Sequence, residues 1–357
     1  MNEEQLLRER LDEITVPPSR IDMGSVLPAA RRRVARRRIA VLSGAAALTA
    51  AALIAVPALL PERKSANGIL PAVTACVSNG LTAPAGVKDP IVRGVDPSGR
   101  YIIGSGTVGQ LLRPVLWTDG KVQTLPALAD VVEATDVNQS GVVVGLVGGL
   151  DNGGKGVVRS ENGRWTSLTL PSGEWNVYPE PRINAGGDVI VNAEPVSNAG
   201  QAVHLLWPAG AVEAEQLTLP NGAVMHDIAD DDGITGVVHA GDETSAWVWD
   251  RTGKGVELEK PDGQSVTAYA IQGDWVAGGT SDDEAAVLWN RTSGRITRLN
   301  AEGAGAAVNS SGWAVADNAT VRDGATLDLG GGTAVGVSDT GLVVGYTSEE
   351  TPTFWRC

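Results

Sequence analysis

A short phrase occurs seven times along this 357-residue chain, and this repetition limits the available folds more than any other feature. Each copy has a run of small and β-branched residues, a turn that contains Gly, and a second run rich in Val and Ile. In five of the seven copies the turn has the form Asp/Asn-x-x-Gly. The copies read GVDPSGRYIIG, DVNQSGVVVG, RINAGGDVIV, IADDDGITG, IQGDWVAGG, VNSSGWAVA and VSDTGLVVG. Asp and Asn side chains bond nearby amides in tight turns, and Gly accepts a positive φ without steric cost. The phrase therefore predicts a β-hairpin that recurs along the chain.

The spacing of the copies indicates the kind of repeat. Anchored on the turn glycine, the copies lie at Gly99, Gly141, Gly187, Gly233, Gly273, Gly312 and Gly341, between 29 and 46 residues apart. A period of about 40 residues is typical of four-stranded propeller blades. The sequence predicts an all-β fold, a seven-bladed β-propeller over residues 72–357. Six or eight blades are the alternatives, because the unit at 306–329 is short.

A second element follows each phrase and completes the unit. A third strand ends at or near Trp, a short Gly turn follows, and a fourth strand ends in Leu-Pro in three units. One repeat position holds Trp117, Trp207, Trp249, Trp289 and Trp355. Packing between neighbouring blades is the predicted role of these five residues, and a stacking platform for a ligand is the alternative.

The units also resemble the HAF type of extracellular repeat, whose pattern is INxxGxxVG followed by AFLWxxG. INAGGDVIV, VNSSGWAVA and VSDTGLVVG match the first half, and AWVWDRTG and AVLWNRTSG match the second. The resemblance covers residues 91–357. It implies a repeated extracellular fold and no particular activity.

The two cysteines of the chain, Cys76 and Cys357, lie at opposite ends of the repeat region. The last unit reads FWRC and has three strands, while CVSNGLTAP resembles the fourth-strand ending of the first unit. A strand that begins at Cys76 would complete the last blade, so we expect a disulfide between the two residues. Closing so long a loop stabilises a fold by roughly 5 kcal/mol at most. Two free thiols are the alternative.

The N-terminal region predicts a membrane anchor. Residues 1–38 form a tail with a short amphipathic helix and a cluster of six arginines, and 39–60 is an apolar stretch of 22 residues without charge. As a helix this stretch extends about 33 Å, enough to cross a bilayer. Residues 61–71 are the predicted linker. The cluster comprises Arg31, Arg32, Arg33, Arg36, Arg37 and Arg38.

The position of this arginine cluster predicts a cytoplasmic N-terminus and an extracellular C-terminal domain. A cleaved secretion signal is the alternative. The tail with its Ala-rich span resembles actinobacterial membrane proteins, several of which accompany extracytoplasmic-function sigma factors. That resemblance implies a cytoplasmic regulator as a partner, and a simple juxtamembrane tail is the other interpretation.

Charge argues against nucleic acid as a partner. The net charge is −14, and the residues from 61 onward contain 19 Lys and Arg against 36 Asp and Glu. Phosphate binding needs clustered basic residues.

No motif in the chain predicts catalysis, a cofactor or a metal. The three histidines, His204, His226 and His239, have no metal-ligand spacing. The glycine-rich stretch 145–156 lacks the Lys-Ser/Thr ending of a phosphate loop. ADDDG at 229–233 departs from the spacing of a calcium loop, and an acidic turn is the simpler interpretation. A catalytic carboxylate pair cannot be chosen among so many candidates without geometry.

The sequence therefore predicts a single-pass membrane protein whose extracellular propeller binds or senses a ligand. Two alternatives remain open: an extracellular carbohydrate-active enzyme and a surface-anchored scaffold. An enzyme would need a central funnel with converging carboxylates and a His or Tyr.

Overall fold

The computed structural model describes residues 76–128, 131–148, 156–281 and 283–357, and these form seven antiparallel blades. The innermost strand of each blade contacts the innermost strands of its two neighbours, and the last blade contacts the first in the same way. The blades therefore close into a ring around a central channel. The predicted seven-bladed propeller is confirmed, and the short unit at 306–329 contributes to a complete blade.

Strands are numbered in chain order, and each blade is given from the channel outward. Blades 1 and 2 consist of β2 (Lys88–Val95), β3 (Tyr101–Val108), β4 (Leu111–Thr118) and β5 (Lys121–Thr124), then β6 (Val131–Val137), β7 (Val143–Gly148), β8 (Gly156–Glu161) and β9 (Arg164–Leu168). Blade 3 has a divided inner strand, β10 (Trp175–Val177) and β11 (Arg182–Ile183), followed by β12 (Val189–Pro195), β13 (Val203–Trp207) and β14 (Glu215–Leu217), with a 3₁₀ turn at Val196–Asn198.

The remaining blades follow the same plan. Blades 4 and 5 consist of β15 (Ala223–Ile228), β16 (Ile234–Ala240), β17 (Glu243–Trp249) and β18 (Gly255–Glu257), then β19 (Val266–Gln272), β20 (Trp275–Thr280), β21 (Ala285–Asn290) and β22 (Arg295–Glu302). Blades 6 and 7 consist of β23 (Gly305–Val308), β24 (Ala314–Ala316), β25 (Ala319–Arg322) and β26 (Ala325–Asp328), then β27 (Thr333–Val337), β28 (Leu342–Tyr346), β29 (Pro352–Arg356) and β1 (Val77–Gly80).

The two ends of the described chain meet in blade 7. Strand β1 pairs antiparallel with β29, with Val77 opposite Arg356. A disulfide joins Cys76 to Cys357 beside this pair. The predicted disulfide is confirmed, and a strand from each end of the repeat region completes one blade.

The repeated tryptophans lie at the seams between blades. All five are buried, with at most 2% of their surface exposed. Trp117 donates its indole N–H to Thr82 O at 2.8 Å, Trp207 to Thr169 O at 3.2 Å, and Trp289 to Glu259 O at 2.7 Å. Each acceptor follows the outer strand of the preceding blade, in the segment that precedes Leu-Pro or its equivalent. The bond therefore ties one blade to the next.

A β-bulge interrupts the inner strand of six blades at the same place. In blade 2 the register shifts between Ala134 and Asp136, opposite Gly145 of the second strand. A Cβ at Gly145 would lie 2.1 Å from Glu133 O, so the bulge requires glycine there. Equivalent contacts of 1.9 to 2.0 Å recur at Gly104, Gly236, Gly278 and Gly345. This explains why several copies of the phrase end in glycine.

One of the turn positions inferred from the sequence is wrong. In blade 4 the residue with the left-handed conformation is Asp232, with a φ of 69°, and the glycine follows it. The turn hydrogen bond runs from Asp232 N to Ala229 O, which corresponds to Gly141 N to Asn138 O in blade 2. The anchor at Gly233 is therefore displaced by one residue, because Asp tolerates this conformation nearly as well as Asn.

Several predictions concern residues outside the described ranges. These are the tail 1–38 with Arg31, Arg32, Arg33, Arg36, Arg37 and Arg38, the apolar stretch 39–60, the linker 61–71, and most of the glycine-rich stretch 145–156. Within the described ranges, no helix has the length and apolar character needed to cross a membrane.

Candidate ligand site in the central channel

The central channel is lined by the inner strands of all seven blades and encloses a cavity of about 120 Å³. The bulge directs the residue that follows it toward this cavity, and in blade 3 the break between β10 and β11 replaces the bulge. Seven equivalent positions result, one per blade, which we call the channel ring. Its members are Gly94, Asp136, Arg182, Asp227, Ala270, Ala307 and Gly336.

The channel ring has two unlike halves. Asp136, Arg182 and Asp227 occupy consecutive blades and alternate in charge. The other four members are glycine or alanine, so the cavity opens toward their side of the ring. This asymmetry is unexpected for a repeat that serves packing alone, because packing positions in the other strands are apolar in nearly every blade.

The two aspartates are held in the same way. Asp136 accepts hydrogen bonds from Val137 N at 2.8 Å and from Ile183 N of the next blade at 3.0 Å. Asp227 accepts from Ile228 N and from Ile271 N of the next blade, both at 2.9 Å. Each carboxylate therefore bridges two blades, and each oxygen retains a lone pair that no described residue uses.

Arg182 lies between these aspartates in the ring order and has few partners. Its closest ion pair is with Glu180, at 3.6 Å. Its buried Nε has no hydrogen-bond partner among the described residues. The side chain is 28% exposed and lines the central cavity. An arginine with unused donors in an enclosed site is costly unless an acceptor binds there.

The electrostatics of the three charged groups are coupled. Burial raises the pKa of Asp227 to about 7, and the positive charge of Arg182 offsets part of that effect. Burial raises the pKa of Asp136 as well, again against the charge of Arg182. Burial disfavours the charged form of Arg182, but the two aspartates and Glu180 outweigh it and raise the pKa of the guanidinium. At neutral pH the arginine is charged and Asp227 is partly protonated.

An aromatic pair lies beside the ring on the side where the chain enters each inner strand. The rings of His226 and Tyr269 stack with their centroids 5.4 Å apart. His226 donates from Nδ1 to Ala268 O at 2.6 Å, and burial lowers the pKa of this imidazole. Tyr269 is 40% exposed. Tyr269 thus lines the channel together with two carboxylates and a guanidinium, and the imidazole of His226 stacks on its ring.

The acidic turn of blade 4 is occupied by protein contacts. Asp230 accepts from Ala185 N at 2.8 Å and from Gln272 Nε2 at 2.9 Å. Asp231 pairs with Arg291, and Asp232 accepts from Asn184 Nδ2 at 3.0 Å. In the described part of the chain, no three His, Cys, Asp or Glu residues are grouped to hold a metal ion. The turn connects blades 3, 4 and 5.

None of the charged ring residues is among the residues predicted from the sequence to have a special role. The five predicted tryptophans lie at the blade seams, and Cys76 and Cys357 lie at the outer edge of blade 7. A signal was present, because the ring residue precedes the first turn residue by two positions in every blade. In blades 2, 3 and 4 that position is charged. This alignment is not apparent from the turn glycines, because the anchor at Gly233 is displaced by one residue and the turn at Gly273 is shorter.

The fold and the channel define the chain as a seven-bladed β-propeller with a charged central cavity. No protein-family model matches the sequence, and no relative was found among curated proteins. Solved structures are similar in fold. Virginiamycin B lyase from Staphylococcus aureus superposes with a TM-score of 0.52 at 13% identity, over 79% of this chain and 99% of that one.

Two further structures give the same result. Oligogalacturonate lyase in complex with manganese aligns with a TM-score of 0.55 at 10% identity, over 80% of this chain and 93% of that one. The β-propeller domain of the Trilobed protease from Pyrococcus furiosus, described by an open velcro topology, aligns with a TM-score of 0.54 at 11% identity, over 75% of this chain and 92% of that one. At these identities the likeness shows the fold.

Proposed function

We propose that this chain is a single-pass membrane protein whose propeller lies outside the cytoplasm and binds or senses a small polar ligand in its central channel. The observation that carries the proposal is Arg182, whose buried Nε–H has no hydrogen-bond partner among the described residues. Functional sites concentrate such perturbed and unsatisfied groups, whereas structural ion pairs satisfy them.

The extracytoplasmic location is supported by two features of the chain. The disulfide between Cys76 and Cys357 is of a kind that persists in oxidising compartments. The apolar stretch 39–60 follows six arginines, which favours a cytoplasmic N-terminus. The resemblance of the repeats to the HAF type agrees with this location. A fusion of alkaline phosphatase after Cys357 should be active, whereas a fusion after Arg38 should be inactive; the reverse pattern would contradict the topology.

A cytoplasmic regulator, such as a sigma factor, is the proposed partner of the tail. Crosslinking of the full-length protein in its native membrane, followed by capture, tests this. A matched variant lacks residues 1–30 and keeps the arginine cluster. Recovery of a regulator with the intact tail alone supports signalling, whereas identical recovery from both variants would show that the tail is an anchor.

Binding in the channel is tested by thermal unfolding of the full-length protein in detergent. The panel contains neutral sugars, amino acids, and simple carboxylates and amines. A ligand that binds the folded state raises the melting temperature by mass action. We expect at least one class to do so for the native chain and not for Asp227→Asn. A shift that persists in this variant would place the ligand elsewhere, and no shift at all would favour a scaffold.

An extracytoplasmic carbohydrate-active enzyme is the second candidate function. Two carboxylates and Tyr269 line the channel, with His226 stacked on Tyr269, and the pKa of Asp227 near 7 suits a general acid or base. Turnover of model glycosides by the native chain, lost in Asp227→Asn, would favour this candidate over binding.

A further inference from the structure

The guanidinium N–H groups of Arg182 that have no partner among the described residues suit an oxygen anion as their acceptor. A guanidinium has five N–H donors in a planar fork that matches a carboxylate. Its single ion pair among the described residues, to Glu180 at 3.6 Å, is too long for a strong hydrogen bond. The two ring aspartates lie beyond ion-pair distance of Arg182, and each of their oxygens accepts one hydrogen bond from a backbone amide instead. The fork is therefore open to a ligand.

The two aspartates call for a cation. Both line the cavity and keep lone pairs that no described residue uses, and burial raises the pKa of each despite the nearby charge of Arg182. An ammonium group that approached them would supply this compensation and could donate up to three hydrogen bonds to the remaining lone pairs. A cation and an anion are thus called for at adjacent positions of one cavity.

We infer that the channel binds a small zwitterion of the α-amino-acid class, with its carboxylate on Arg182 and its ammonium group on Asp136 and Asp227. The inference rests on the proposed function, which makes the channel a ligand site. A simple carboxylate would face two aspartates, and a simple amine would face the guanidinium. A zwitterion of this class satisfies both the arginine and the aspartates, because one carbon atom separates its ammonium group from its carboxylate.

The other half of the ring limits the size of the ligand. Gly94, Ala270, Ala307 and Gly336 present at most a methyl group each. The cavity of about 120 Å³ corresponds to about four water molecules at liquid density. This space accepts the backbone of an amino acid and a short apolar side chain next to the small residues. Long or branched polar side chains would not fit.

Titration calorimetry of the full-length protein in detergent tests the assignment. The probes are glycine, L-alanine and D-alanine, with acetate and methylamine as half-ligands that each carry one of the two charges. We expect saturable binding of at least one amino acid and at least about tenfold weaker binding of either half-ligand.

Two variants locate the binding. Arg182→Lys keeps the charge and removes the fork, and Asp227→Asn removes one carboxylate at nearly constant volume. Both should weaken amino-acid binding by about tenfold or more, since each loses a charge-assisted hydrogen bond. Arg298→Gln is the matched control, because Arg298 is 61% exposed and pairs with Asp283 at the surface. The melting temperature of each variant, measured beside binding, verifies folding.

The outcomes separate the ligand class from the proposed function. Binding of an amino acid that both channel variants weaken and Arg298→Gln preserves supports the inference. Binding of acetate or methylamine as tight as that of glycine would overturn it. If a sugar stabilises the native chain through Asp227 and no amino acid binds, the zwitterion assignment fails and the channel site stands. If no member of the panel binds, both fail.

Discussion

At the scale of single residues, Asp227 illustrates how position decides chemistry. The same residue type accepts hydrogen bonds in exposed turns elsewhere in this chain, for example at Asp250, whose pKa is lowered by its Thr252 partner. In the channel, burial dominates and raises the pKa of Asp227 to about 7. Hydrogen bonds to Ile228 N and Ile271 N reduce this effect without reversing it.

This pKa makes stability depend on pH in a defined direction. A carboxyl with a folded-state pKa near 7 and an ordinary unfolded value binds its proton more tightly when folded, so the free energy of unfolding decreases as pH rises from about 4 to about 7. Asp227→Asn should make this decrease about 2 kcal/mol smaller. The effect is smaller than the full pKa shift implies for a dry site, because Asp227 is partly exposed in the channel. Urea unfolding at several pH values measures it.

Other charged groups near Asp227 enter the same experiment. Arg182 stays charged throughout the range, while Asp136 has a raised pKa of its own and keeps part of the slope in the variant. Asp119→Asn is the control, because that side chain is 65% exposed and pairs with Arg100. An unchanged slope in Asp227→Asn would show that Asp227 is ionised well below neutral pH.

The tryptophans allow a second comparison between equivalent residues. Trp289 donates its indole N–H across the seam to Glu259 O, whereas the Nε1 of Trp249 has no partner in the described chain. Trp→Phe removes similar volume at both sites but breaks a hydrogen bond at one. Trp289→Phe should therefore destabilise the fold by about 1 kcal/mol more than Trp249→Phe in denaturant unfolding. Equal losses would mean that the seam bond contributes nothing.

At the scale of elements, the bulged inner strand connects the repeat to the site. The glycine that ends the phrase allows the bulge. The bulge in turn places the channel-ring residue of the same blade in the channel. The repeated phrase therefore encodes the ring position as well as the hairpin. A variant that fills the glycine should disturb both packing and the channel.

Gly145→Ala tests this coupling. The added Cβ would lie 2.1 Å from Glu133 O, so the backbone of blade 2 must move, at a cost of about 3 kcal/mol. Gly80→Ala is the matched control, because no atom lies within 4 Å of a Cβ there. Thermal unfolding of both variants gives the comparison. A Gly145→Ala variant as stable as the control would show that the bulge adapts freely.

The sequence predicted the hairpins and the blade number because the turn chemistry is local. Asx residues and turn glycines act within four residues, so Asn138 and Gly141 could be identified without a fold. The channel site was not predictable in the same way, because Asp136, Arg182 and Asp227 are 45 or 46 residues apart and meet through ring closure. When the units are aligned by their turn hydrogen bonds, the three charged residues fall at the same position, that of the channel ring.

At the scale of the whole molecule, the closure of the ring combines strand pairing and a covalent bond. Strand β1 pairs with β29, and the disulfide between Cys76 and Cys357 spans 281 residues. Reduction, or the double change Cys76→Ser and Cys357→Ser, should lower the free energy of unfolding by up to roughly 5 kcal/mol. Denaturant unfolding of the oxidised chain and the double variant measures the loss. An unchanged midpoint would mean that strand pairing alone closes the ring.

The disulfide also gives the propeller the connectivity of a circle. Since Cys76 and Cys357 are joined, a single backbone cut in any loop between blades leaves every blade attached to the rest. A nicked molecule therefore keeps its full mass until it is reduced, and then separates into two fragments under denaturing conditions. For the same reason, the ring does not depend on which blade the chain enters first. Circular permutants opened at other blade junctions should therefore assemble the same channel.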